Sequence, residues 1–529
     1  MDKKRRLNDL SPKLILQGII LVAVAILIGM ALIEIFYSWK SDRWVSHASG
    51  VYITLAKDLS EGKFYLPLFG EDGYRGTRYF PLYFSLHALL IKIVEDPIKA
   101  GYLLGLIAGV LFLFGVYQFV RKSGGSFLLA SAAVAAILAC NLTQALITAI
   151  RGDILPAALN ICGLALFVGT NELTKKKLAA MALLFSLAFA AKVASVCGVT
   201  AVWMILLLKR QIKEGMWLAL MTFLGFSLVI GISQLFSDGR FIEVVRSCAA
   251  AGTSLEGVLK IPTRLRNVIM NLDGATQFLL ASGLVSLIVL PKKQRTRIST
   301  VYFLLILLVT AIMFSNPGLH VNHFLEPLAA SVLLITSLLI IRAERFEMVA
   351  LSAISSILII VLGISLTSNN RTAPAKYQKR YALVTEYLKG VKGPILSDNS
   401  LIPILMGQNP FMLDAFVFRM LREKKTSASF EKPLFDRIEE KWFEAIVLEK
   451  WASSFPGLHF GEGFYESVER NYCLRQETQQ WLFYLRCDDR KNVNKHSHLC
   501  KVRVRMVNQF TTLSLKLDKS PRAGLQNST

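Results

Sequence analysis

Three short stretches place charge where an apolar run begins or breaks. Arg151-Gly152-Asp153 opens the run 153–170, Asn322-His323-Phe324-Leu325-Glu326 enters the run 321–341, and Lys192 is the one charge between residues 178 and 208. Charge at the edge of a membrane-length apolar segment is costly unless it is paired or used. Ammonium and guanidinium groups there can bind a phosphate and neutralise charge developing on it, and a carboxylate can take a proton. Each residue also has a plainer reading. Asp153 can cap a helix. Lys192 can be a turn residue snorkelling to an interface. His323 and Glu326, three apart and so on one helical face, can be a buried structural pair. The loop after the first apolar run adds Asp42, His47, Asp58, Glu61, Glu71, Asp72, Arg75 and Arg78. Most of these read as solvated loop charges. Asp42, five residues beyond the end of the run, stands closest to where a lipid head group would lie.

The elements that must position these groups are helices in a membrane. The chain has 529 residues, of which 53% are hydrophobic and only 18% charged, with a mean hydropathy of +0.47. Soluble domains carry about 25% charge. Disorder, collagen and a disulfide-stapled mini-protein are excluded. A net charge of +23 admits either a nucleic-acid surface or cationic loops on the cytoplasmic side of a bilayer. The distribution decides. A first run, 14–37, follows MDKKRR and is long enough to span. Further runs lie at 101–120, 126–142, 153–170, 178–191, 193–208, 216–236, 275–290, 298–314, 321–341 and 347–367. That makes about eleven transmembrane helices, by runs of apolar residues. Residues 79–94, with Pro81 and His87, are barely long enough to cross and read as an interfacial or re-entrant helix; 51–59 read as a short amphipathic helix. With a cytoplasmic start, the basic loops 121–125, 171–177, 209–215, 291–297 and 342–347 all fall inside. Asp42, Asp153, Lys192 and His323 then share the outer face. If 79–94 crossed, every later loop would invert.

Apolar runs stop near residue 367. Beyond it, 394–398 and 445–448 read as strands, and 372–390, 409–421 and 435–440 as helices, which together predict a small extracytoplasmic α/β domain over 368–487. Residues 488–529 are polar, basic and without periodicity, a tail with no packed core. The polytopic part, 1–367, contains the long outer loop 38–100. Of seven cysteines none shows zinc spacing; Cys473, Cys487 and Cys500 lie in the polar part, and their odd number leaves at least one unpaired.

Four segments resemble the C-type glycosyltransferases, polytopic enzymes that include the protein O-mannosyltransferases and the lipid A aminoarabinose transferase. VYITLAKDLSEGKFY (51–65) is similar to the family's Y-x-x-x-A-x-x-L-x-x-G-x-x-Y stretch, and RYFPLYFSLHALL (78–90) to its Y-P-P-L-Y-Y stretch. RGDIL (151–155) is similar to its second acidic site, and LAFAAKVASV (187–196) to its A-x-x-x-K segment. Residues 394–416 resemble the start of the C-terminal domain of bacterial members. One place departs. Where the family carries Asp-Glu, about eight residues before the alanine matching Ala56, this chain has His47-Ala48-Ser49.

The resemblance implies an enzyme of a bacterial inner membrane that takes a sugar from a polyprenyl-phosphate donor and passes it, with inversion, to a hydroxyl of a lipid, glycan or protein. It implies Asp42, Asp153 and His47 for catalysis, with Asp42 the preferred base. Arg151, Lys192 and Arg78 would bind the donor phosphate, and His323, Glu326 and Tyr79 the acceptor. Members vary in metal dependence; Asp42 and Asp153 are the residues that would hold a divalent ion. No nucleic-acid partner and no other cofactor is implied. A lipid or polysaccharide transporter or flippase would show internal repeats and mid-span charges, which this chain lacks. A non-catalytic membrane scaffold is the reading that the missing Asp-Glu keeps open.

Overall fold

The computed structural model describes residues 2–169, 172–249, 255–291, 297–316, 318–343, 346–369, 381–424, 430–450 and 459–487. The tail 488–529, with Cys500, and residues 372–380 of the helix expected at 372–390 lie outside the described residues; the rest of that segment contains the helix Ala382–Tyr387. The first helix, α1 (Asp2–Ser41), leads into the buried helix α2 (His47–Ser60). A two-residue hairpin, β1 (Phe69–Gly70) and β2 (Gly73–Tyr74), precedes α3 (Pro81–Val94) and α4 (Pro97–Lys122). Then come α5 (Phe127–Leu138), α6 (Asn141–Thr148), α7 (Ile154–Phe167), α8 (Lys175–Ala191) and α9 (Cys197–Leu208).

Among the described residues five helices are long and apolar enough to cross a bilayer: Pro12–Ser41, Pro97–Lys122, Ile212–Phe236, Val321–Ala343 and Glu347–Thr367. The pair α5–α6, bent by 72°, makes a sixth if it is one broken span. The chain is an integral membrane protein by this fold. The other apolar runs form shorter helices, such as α7 and α9, with 14 and 12 residues. At 1.5 Å per residue these reach only about 18–21 Å, short of a hydrocarbon core of about 30 Å. α3, also 14 residues, has the same limit. The short helix expected at 51–59 is present within α2, and ten residues of α2 are buried, Val51 to Ala56 all among them.

Three glycines one turn apart shape the centre. Gly101, Gly105 and Gly109 line one face of α4, the small-xxx-small spacing that lets helices approach closely. A Cβ at Gly101 would strike Ile150 Cγ2, one at Gly105 the Ile147 carbonyl, and one at Gly109 the Ile147 side chain. The face therefore seats the end of α6 and the turn after it, which carries Arg151 and Asp153.

The last third forms a four-stranded sheet in the order β3 (Ile395–Ser397), β4 (Ala445–Glu449), β6 (Trp481–Arg486), β5 (Tyr472–Glu477). β3 and β4 are parallel, with Ile395 opposite Ala445; the other pairings are antiparallel. The core of one sheet face holds Leu396, Ile446, Leu448, Phe464 and Tyr472. A disulfide, Cys473–Cys487, closes the β5–β6 hairpin. This part docks on the long first loop. Tyr74 N donates to the Phe411 carbonyl at 2.8 Å, Leu413 N donates to that of Tyr74 at 3.0 Å, and Gly50 of α2 lies against Leu401 N.

Candidate active site

Asp153 stands directly before α7, yet its side chain makes no capping hydrogen bond. The carboxylate is engaged elsewhere. Oδ1 accepts from Lys192 Nζ at 2.9 Å and from Asn322 Nδ2 at 2.8 Å, and Oδ2 lies 3.2 Å from Arg151 Nε. Burial by itself would raise this carboxyl, but Lys192 and Arg151 hold it well below the usual carboxylate range. The three ionic side chains are not sealed off. Arg151 is 25% exposed and Lys192 26%, so neither cation is fully enclosed. The turn that carries them is strained: Ile150, fully buried and β-branched, has φ +50°. Such a conformation costs on the order of 1–3 kcal/mol and persists only where packing imposes it; here the glycine face of α4 does so.

An aromatic wall stands beside the cations. Tyr52 of α2 packs on Tyr79 at 4.5 Å and on Tyr83 at 5.0 Å between ring centroids. Burial, with Tyr79 and Asp153 adding to it, pushes the Tyr52 phenol up, so it remains a proton-bearing donor. Its hydroxyl lies against Gly152, where an added Cβ would come within 2.7 Å. Gly152→Ala is therefore expected to displace Tyr52 or the Arg151–Asp153 turn, and to weaken binding of a phosphate lipid at least tenfold with the protein still folded. Titration with such a lipid measures this; unchanged affinity would mean that the turn is not part of the site. Arg78 lies over the Phe416 ring at 4.7 Å and interacts with the Tyr79 phenol.

The third side comes from the sheet and the start of α2. The His47 carbonyl accepts from Ser400 Oγ at 3.2 Å. Its imidazole reaches solvent, although Asp414, Glu449, Arg151 and Arg78 from separate segments all act on it. Deep surroundings with an exposed side chain describe a cleft. Burial lowers the basicity of His47, and Asp414 and Glu449 partly offset it. Glu449 ends β4; its Oε1 accepts from Asn399 Nδ2 at 2.9 Å, and its N–H donates to Asp398 at 3.1 Å. Burial and the Glu449 charge push Asp398 up to about 8.

The expected site residues divide. Arg151, Asp153, Lys192, Arg78, Tyr79, His47 and His323 converge; His323 shares the 3₁₀ turn Val321–Phe324 with Asn322 and is electrically coupled to Asp153 and Lys192. Glu326 follows His323 by three residues, at the start of the helix Leu325–Ala343. It lies one turn deeper and accepts from Tyr302, Ser195 and Asn160 at 3.2, 3.3 and 3.5 Å. Asp42, at φ +52°, is held by the Tyr102 hydroxyl at 2.7 Å. A divalent ion does not fit this arrangement. Both Asp153 oxygens already face cations, and among the described residues no three His, Cys, Asp or Glu side chains are placed to hold a metal.

No family model matches the sequence, and no curated protein matches it by sequence. The folded chain does match. ArnT from Cupriavidus metallidurans bound to undecaprenyl phosphate superposes with a TM-score of 0.56 at 10% identity, over 88% of this chain and 98% of that one. The same protein in its apo state gives 0.53 at 10% identity, over 87% and 97%. The fold is that of a C-type glycosyltransferase. Within this C-type fold, four cleft residues had no role in the sequence reading: Tyr52, Asn322, Asp414 and Glu449. Asn322 and Tyr52 sit inside stretches already singled out, so only their side-chain direction was missing. Asp414 and Glu449 lie more than 250 residues from Asp153 in sequence, and no local pattern connects them to it.

Proposed function

We propose that this protein transfers a sugar from a polyprenyl-phosphate donor to a hydroxyl acceptor, with inversion, at the outer face of a bacterial inner membrane. The observation that carries the reading is the Arg151–Asp153–Lys192 cluster, open to a cleft in an ArnT-like fold. Arg78, Arg151 and Lys192 less Asp153 leave two net positive charges. A sugar phosphodiester carries one negative charge and the released polyprenyl phosphate carries two, so the cluster gains interaction as the leaving group forms. Asp153 holds the two cations side by side against their mutual repulsion.

In the proposed step the acceptor oxygen attacks the anomeric carbon, the bond from that carbon to the phosphate oxygen breaks, and the acceptor proton passes to a base. His47 is the better placed base. It faces the cleft, burial keeps it neutral, and Asp414 and Glu449 favour the imidazolium that forms. Asp42 is engaged with Tyr102. The direct experiment is a screen of polyprenyl-phosphate sugars with purified protein, scoring release of polyprenyl phosphate. Turnover of none of them, or equal turnover by wild type, Asp153→Asn and Lys192→Met, would exclude the reading.

The outer location of the sheet is supported by the Cys473–Cys487 disulfide, a bond kept in oxidising compartments. Protein blocked with maleimide under denaturing conditions and then reduced is expected to take up two further tags, counted by gel shift. Loss of that second labelling would put the sheet on the reducing side.

A further inference from the structure

Below the cation cluster lies a second set of polar contacts that transfer chemistry does not use. Asn322 and Glu326 are four residues apart, one turn. Asp153 and Asn160 are seven apart, two turns of α7. Lys192 and Ser195 are three apart in the turn between α8 and α9. The first residue of each pair belongs to the cleft: Asn322 donates to Asp153 at 2.8 Å and Lys192 to the same oxygen at 2.9 Å. The second of each belongs to the lower set: Asn160 and Ser195 both donate to Glu326 Oε1, at 3.5 and 3.3 Å. Tyr302 donates to Oε2 at 3.2 Å. The same three segments are thus tied twice, at the cleft and one level deeper.

The lower tie has little room to move. Gly198 leaves space for Asn160: a Cβ there would sit 2.6 Å from Asn160 Oδ1. Asn160, Tyr302 and Ser195 are 0%, 0% and 2% exposed. The Ser195 N–H also donates to the Lys192 carbonyl at 2.9 Å, so Ser195 links Glu326 directly to the turn that aims Lys192. Of the cations nearby, Lys192 acts most strongly on Glu326. In an apolar surround a carboxylate with three donors is a firm anchor, because each donor would otherwise be left buried and unpaired.

We infer that Glu326 is a positioning residue for the donor phosphate: through Ser195 and Asn160 it sets the separation of Lys192 from Asp153, and it does not itself touch the acceptor. The inference rests on the sugar-transfer reading above. It separates Glu326 from the acceptor role that its sequence neighbour His323 suggested. A positioning group acts only through the residue it places, so its effect must vanish when that residue is gone.

The test is a double-mutant cycle on the purified full-length protein. Affinity for undecaprenyl phosphate in detergent micelles is measured for wild type, Glu326→Gln, Lys192→Met and the double variant, with transfer kinetics alongside. Lys192→Met is expected to weaken lipid binding at least tenfold and Glu326→Gln about five- to tenfold. The double variant should match Lys192→Met, and Glu326→Asp should recover part of the loss. The KM for acceptor should not change. If Lys192→Met binds the lipid as wild type does, the sugar-transfer reading itself fails. If it binds more weakly but Glu326→Gln is unaffected, or the two losses multiply, or Glu326→Gln raises the acceptor KM alone, this inference is overturned while that reading stands. Thermal unfolding of Glu326→Gln guards against simple misfolding, and a variant that does not fold is replaced by Ser195→Ala, which cuts the same link with a smaller change.

Discussion

Replacing Lys192 with methionine is expected to lower the rate of sugar transfer by two to three orders of magnitude. Removing one preorganised group that faces developing negative charge costs about 2.7–4 kcal/mol. Lys192 meets that description: its ammonium is one-quarter exposed to the cleft and already fixed at 2.9 Å from Asp153. The substitution keeps the length of the side chain, and it does not orphan the carboxylate, which retains Arg151 at 3.2 Å and Asn322 at 2.8 Å. Folding is thus preserved and the loss can be read as chemistry. Because the charge on the phosphate doubles only as the bond breaks, kcat should fall more than acceptor KM rises. The penalty should also shrink with a donor whose leaving group is less basic, since such a group needs less neutralisation. A penalty independent of the leaving group, measured in single-turnover assays with two donors, would place Lys192 outside the reaction.

How far the sequence could anticipate this site depends on how local each contact is. Arg151, Asp153 and Lys192 announced themselves because a charge within an apolar run has few explanations. Their pairing did not, because it joins α7 to a turn 39 residues later. The plain alternative for Asp153, a helix cap, was settled only by seeing the carboxylate turned away from the α7 amides. His323 and Glu326 read as a pair in the sequence, but their partners differ. His323 acts with Asp153 and Lys192, whereas Glu326 accepts from Tyr302, Ser195 and Asn160, partners that lie 24 to 166 residues away in sequence and that no local pattern announces. Asp42 looked well placed by its distance from the first apolar run, but its left-handed backbone and the Tyr102 hydroxyl give it other company. In the sheet, β3 and β4 were legible as short apolar runs. β5 and β6 were not: Tyr472–Glu477 carries Arg, Gln and Glu and buries only Tyr472, so no apolar run marks it as the partner of Trp481–Arg486. The disulfide between the two strands went unseen with them.

His47 is where the chain departs from the glycosyltransferase pattern, and there the consequence can be measured as a pH profile. His47→Ala is expected to reduce kcat/KM by two orders of magnitude or more, the usual contribution of a positioned base. Wild type should lose activity as pH falls, because a protonated imidazole cannot accept the acceptor proton. Burial lowers the basicity of His47, so that acid limb lies below the ordinary histidine value of about 6.5. In His47→Ala the limb should disappear along with most of the rate. Asp42→Asn should keep both the limb and nearly all the rate, since the Tyr102 hydroxyl can still donate to the amide oxygen. The opposite pattern, Asp42→Asn inactive and His47→Ala retaining the wild-type limb, would return the base to Asp42 and require the turn at residue 42 to reorient in the complex. The two outcomes are exclusive because each assigns the single titration to a different side chain.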